Sequence, residues 1–129
     1  MKWTKNARTL VSSGTSNAAA ATSYSTVLDL SKANGGYLFV KITNGSVGPS
    51  VQAIVTILTA FTTTPPVVGA EGSIWKYYDS IGGSTSANSV TNGRFNIPPG
   101  VMQLELQISG NTGQAVIWEA FFGELSEFK

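Results

Sequence analysis

Residues 35 to 64, GGYLFVKITNGSVGPSVQAIVTILTAFTTT, contain two runs of aliphatic, β-branched and aromatic residues, Tyr37 to Thr43 and Val51 to Phe61, separated by NGSVGPS. Gly45 and Gly48 tolerate positive φ and Pro49 fixes its own, so the connection suits a change of direction. The two runs are expected to be long neighbouring strands at the centre of a β-sandwich. In the first, Leu38, Val40 and Ile42 alternate with Tyr37, Phe39, Lys41 and Thr43, which assigns the aliphatic set to the core. The second is apolar in both registers, so it is expected to be covered on both sides, by this chain or by another subunit.

Val101 to Ser109, VMQLELQIS, alternates most cleanly: Met102, Leu104, Leu106 and Ile108 are expected inside, Val101, Gln103, Glu105 and Gln107 outside. Ala7 to Ser13, Ser23 to Leu30, Ile74 to Asp79, Val90 to Ile97 and Gln114 to Leu125 read as further strands, with Gly123 a bulge or a close approach. Ser13 to Thr22 and Ile81 to Asn88 read as loops, DLSKANGG as a helical turn capped by Asp29 or Ser31, and Pro98-Pro99-Gly100 as a turn. Asn92-Gly93 marks either a hairpin or a bulge in a continuing strand. About eight strands at this spacing specify an all-β fold, an antiparallel β-sandwich of jelly-roll type. One domain is expected over residues 1–129, with residues 1–13 an N-terminal arm or an edge strand.

The chain has no histidine and no cysteine, so the commonest proton carriers and nucleophiles at neutral pH are missing. Seven carboxylates remain, scattered through turns and outer strand positions, with no motif that sets two of them across a cleft. No catalytic residue, cofactor or metal site is therefore expected. A net charge of +1 argues against general nucleic-acid binding. No 18-residue apolar run is present and the first residues turn polar early, which points to a soluble, unprocessed chain with no membrane partner. Only 12% of residues are charged, against about 25% in an ordinary soluble domain, so much of the surface must be neutral and suits packing against neighbours.

Two clusters are candidate contact points. Lys2, Trp3, Lys5 and Arg8 combine three cations with an aromatic anchor, as an arm docking on an acidic neighbour would, or as the protected start of an edge strand. If the first and last strands pair, the basic start and the acids Glu119, Glu124 and Glu127 neutralise one another within the chain. Trp75, Tyr77 and Tyr78 offer flat faces for stacking sugars, or else pack as core or interface.

The pattern Asp29-Leu30-Ser31, then KITNGSVGP from Lys41 to Pro49, IPPG from Ile97 to Gly100 and SGNTGQAV from Ser109 to Val116 resembles small β-sandwich virion structural proteins of tailed bacteriophages. The likeness spans about residues 24 to 122. It implies a non-enzymatic structural role in the virion, first as a capsid cement or decoration protein that binds the major capsid protein and itself as a homo-oligomer. A tail or baseplate component, or a carbohydrate-binding adhesion module, is the alternative.

Overall fold

The computed structural model describes residues 2–68 and 74–128, without the side chains of residues 2, 3, 127 and 128. Nine strands follow one another: β1 Lys2–Asn17, β2 Ser23–Tyr24, β3 Leu28–Asp29, β4 Gly36–Asn44, β5 Ile54–Ala60, β6 Lys76–Gly82, β7 Val90–Ile97, β8 Gln103–Ser109 and β9 Val116–Phe128. They form two antiparallel sheets, ordered β1-β9-β4-β7 and β2-β8-β5-β6, with β3 also paired to β8. Counting β2 and β3 as one interrupted strand leaves eight, and the two orders are those of a jelly roll. The expected all-β, antiparallel sandwich is what the chain forms.

The core between the sheets is mainly aliphatic, with Trp118 and Phe122 its largest members. Leu38, Val40 and Ile42 of β4 and Val116, Trp118, Ala120 and Phe122 of β9 face Val55 and Ile57 of β5 and Leu104, Leu106 and Ile108 of β8. Each fully buried Leu or Ile contributes about 1.5–3 kcal/mol relative to leaving it in water. The inward assignments of Leu38, Val40, Ile42, Leu104, Leu106 and Ile108 hold because strand alternation leaves no other face for them.

Several expectations need correction. The two long strands of residues 35–64 are not neighbours: β4 belongs to one sheet and β5 to the other, and residues 45–53 cross between them. Asn44 holds the crossing, donating from Nδ2 to the carbonyls of Ser84 and Ser86 at 2.7 and 2.9 Å. The first strand runs on to Asn17, beyond the loop expected from Ser13, because β9 supplies a ladder that these small polar residues accept despite weak intrinsic preference. Val101, Gln103 and Glu105, expected outside, are buried, Val101 within the hydrophobic core. Gln103 lies where the connection leaving β5 crosses the sheet, its Nε2 donating to the Thr62 carbonyl and to Asp29 Oδ1, both at 3.0 Å. The second face of β5 is only partly covered, since Ile54 remains exposed. Asn92-Gly93 makes neither hairpin nor bulge; it pairs in unbroken register with Lys41 and Val40.

Between β3 and β4 the chain makes a turn and no helix, with Ala33 N–H donating to the Leu30 carbonyl. Asp29 closes this turn by accepting the Ser31 N–H at 3.0 Å. That backbone bond, then the Ser31 side chain and Gln103, hold the Asp29 carboxyl below its ordinary value of 3.8. A lowered folded-state value stabilises the fold above the ordinary range and stops doing so as pH falls below 3.8. Asp29→Asn is therefore expected to melt below the wild type at about pH 6 and to converge with it near pH 2. A gap that stays constant across a pH series of thermal melts would exclude this assignment.

Candidate functional site

Strand β9 is paired on both sides, with β1 and with β4. Its inward residues fill the core, so its outward ones, Ile117, Glu119, Phe121 and Gly123, set the outer face of the first sheet. Directly opposed residues share a face, and the register therefore lays that face out in rows. Phe121 lies between Thr9 of β1 and Phe39 of β4, and Phe39 lies opposite Arg94 of β7. The Arg94 guanidinium carbon is 5.4 Å from the centre of the Phe39 ring, a cation–π contact of about 0.5–1 kcal/mol. Glu119 opposes Lys41, and beyond them Ile117, Thr43 and Val90 form an aliphatic row in which Ile117 and Val90 are 44% and 50% exposed.

At the other end of this face the row is Ala7, Gly123, Tyr37 and Asn96. Gly123, without a side chain, leaves a trough beside Tyr37. Together with Tyr78, Pro98, Pro99, Asn34 and Leu125 this trough forms a groove of about 680 Å³ with mainly apolar walls. The Tyr78 hydroxyl donates to the Asn96 carbonyl at 2.7 Å, bringing β6, the edge of one sheet, onto β7, the edge of the other.

The floor depends on glycine. Gly35 has φ +73°, and a Cβ there would lie 2.2 Å from the Ile97 carbonyl oxygen. At Gly36 a Cβ would collide with the Gly123 carbonyl oxygen, so the close approach falls on Gly36; Gly123, expected to be a bulge or a close approach, pairs in unbroken register with room for a Cβ. The Asn34 N–H donates to the Leu125 carbonyl and the Leu125 N–H to that of Gly35, so the turn is stitched to β9. Behind the groove Glu124 is buried, with Arg8 Nη2 3.2 Å from Oε1, while Oε2 accepts from Asn6 and Ser126. The basic start and an acid of the end thus neutralise each other within the chain.

The contact residues read from the sequence are dispersed. Lys5 and Arg8 lie on β1, Lys5 at the rim of the groove and Arg8 in its ion pair; the side chains of Lys2 and Trp3 lie outside the described residues. Trp75 is 5% exposed, its indole N–H donating to the Val67 carbonyl at 3.4 Å, and offers no stacking face. Tyr77 and Tyr78 lie at a register shift in β6, where strict alternation is broken; the Tyr77 hydroxyl is 3.2 Å from Ser80 Oγ, and only Tyr78 lines the groove. Tyr37, Asn34 and Asn96 were not singled out as contact residues by their sequence context, and Gly123 was read only as a bulge or close approach, since strand pairing is what brings them together. Among the described residues no group of three or more acidic, histidine or cysteine side chains is placed to hold a metal ion.

No family model matches this chain, and no curated protein is similar to it. Solved structures are. A chain of the infectious bursal disease virus Gx strain superposes with a TM-score of 0.62 at 13% identity, over 98% of this chain and 32% of the viral one. T=1 particles derived from the same virus give 0.60 at 11%, over 98% and 32%. The K3 cleaved adhesin domain of Lys-gingipain from Porphyromonas gingivalis gives 0.50 at 13%, over 79% and 61%. The SPBc2 prophage-derived protein YomS matches in length, over 95% and 96%, at 14% identity and a TM-score of 0.46, too loose a superposition to bear on function. This chain spans about a third of the viral chains it matches. At these identities the likeness is one of fold.

Gly35 and Gly123 give opposite expectations. Gly35→Ala meets both positive φ and a backbone oxygen, and should cost on the order of 3 kcal/mol in urea unfolding. Gly123→Ala meets nothing nearer than 3.9 Å and should be neutral or gain up to about 1 kcal/mol. Equal costs at the two positions would contradict the geometry of the floor.

Proposed function

We propose that this chain is a non-enzymatic structural subunit of a virus particle, a cement or decoration protein that binds the major capsid protein and itself. The observation that carries the proposal is the outer face of the first sheet, where Phe39, Phe121, Arg94, Ile117 and Val90 stand together on a rigid support. Aromatic residues and Arg are enriched where protein surfaces bind, and exposed apolar rows on a sheet mark contact surfaces. The low charge density leaves little repulsion to oppose close packing. A jelly roll shared with a chain that builds T=1 particles, and the sequence pattern resembling phage virion proteins, lend support to a role in the virion. The same face serves a tail or baseplate component equally, and the particle fraction that retains the protein distinguishes the two.

Co-sedimentation with empty capsids, alongside light scattering of the free protein, tests the reading. Ile117→Glu or Val90→Glu should weaken capsid binding tenfold or more, about 1.4 kcal/mol, with the melting temperature unchanged. A monodisperse monomer with no affinity for capsid or tail, or variants that bind as the wild type does, would overturn it.

A further inference from the structure

The groove at the end of this face differs in chemistry from the rows beside it, and its meaning does not depend on a role in a particle. Two tyrosine rings line it, Tyr37 at 49% exposure and Tyr78 at 37%. Two amides, Asn34 and Asn96, also line it, and neither side chain has a hydrogen-bond partner among the described residues. Its charged members are few: one ammonium, Lys5, and one carboxylate, Glu124, which Arg8 neutralises. We infer that this groove is a binding site for a neutral saccharide chain.

The match is one of ligand chemistry. A pyranose ring presents C–H groups on its faces and hydroxyls around its rim; the first suit the flat faces of tyrosine, the second suit amides and phenols, which donate and accept alike. A phosphate or sulfate ligand would call for several converging cationic donors, and Lys5 alone of the groove's lining residues carries a positive charge. An extended peptide that adds a strand would need free backbone groups at a sheet edge, whereas at the β7 side of the groove the Asn96 carbonyl already accepts from the Tyr78 hydroxyl. Its volume of about 680 Å³ lies within the range of small-ligand sites, about 300–1,000 Å³. Gly123 is the residue that keeps the groove open: a side chain there would meet no backbone nearer than 3.9 Å and would project into the trough beside Tyr37.

A glycan array of neutral hexose, hexosamine and deoxyhexose polymers identifies the probe, and titration calorimetry with amide NMR then measures it. The expected result is binding with Kd below about 1 mM and shifts at Tyr37, Asn96 and Gly123. Tyr37→Ala should weaken binding tenfold or more, and Gly123→Leu should abolish it with the melting temperature kept. Tyr77→Ala, outside the groove lining, and Ile117→Glu, at the far end of the face, should bind as the wild type does. Since Ile117→Glu reports on the particle contact and Gly123→Leu on the groove, the two proposals fail separately. Silence across the array, wild-type binding by Gly123→Leu, or an equal loss in Tyr77→Ala would overturn the inference.

Discussion

Both edges of β9 are taken up by hydrogen bonds to β1 and β4, so this strand can act on its surroundings only through its two faces. Strict alternation assigns Val116, Trp118, Ala120 and Phe122 to the core and Ile117, Glu119, Phe121 and Gly123 to the surface. A slip of one residue would exchange the two sets, burying a carboxylate and exposing a tryptophan. The aliphatic core therefore fixes the pattern of the outer face. The same pairing joins the beginning of the chain to its end, and with it Arg8 to Glu124.

The two ends of the outer face differ because of side-chain size. Where β9 and β4 both carry phenylalanine the surface is raised and aromatic; where β9 carries Gly123 it is hollow. The hollow persists because Gly35 and Gly36 let the turn before β4 lie directly on the backbone of Ile97 and Gly123. At the opposite end of the sandwich a buried amide pair does the corresponding work for the strand ends. Asn17 donates from Nδ2 to Asn111 Oδ1 at 2.7 Å, and Asn111 donates to the carbonyls of Asn17, Ala18 and Gln114. Fully partnered buried amides of this kind fix one arrangement of the loops they join.

Much of the fold was legible in the sequence because alternation is a local signal. Leu38, Val40 and Ile42, and again Leu104, Leu106 and Ile108, declare their face within a few residues, and the jelly-roll class followed from the number and spacing of such runs. Pairing is not local. Residues 35–64 resemble a hairpin in sequence, yet their strands enter opposite sheets, since the long crossing tied by Asn44 has no signature in composition. Gln103 and Glu105 read as solvent-facing because their cover lies elsewhere in the chain. The groove was illegible for the same reason: Gly123, Tyr37 and Asn96 come from three strands and meet only through register. The aromatic cluster at Trp75, Tyr77 and Tyr78 drew notice by adjacency, yet Trp75 is buried, Tyr77 stays outside the groove and only Tyr78 lines it.

What unites these observations is an asymmetry between the outer surfaces of the two sheets. One is closed in part by the chain itself, over Gln103 and Trp75; the other presents Tyr37, Phe39, Phe121 and Ile117. Hydroxyl-radical footprinting of the protein, free and bound to the particle, reads this directly through its aromatic side chains. The account predicts that Phe121 and Phe39 lose reactivity on binding while Tyr77, 66% exposed on the other sheet, keeps its own. Protection of Tyr77 with Phe121 and Phe39 unchanged would contradict it.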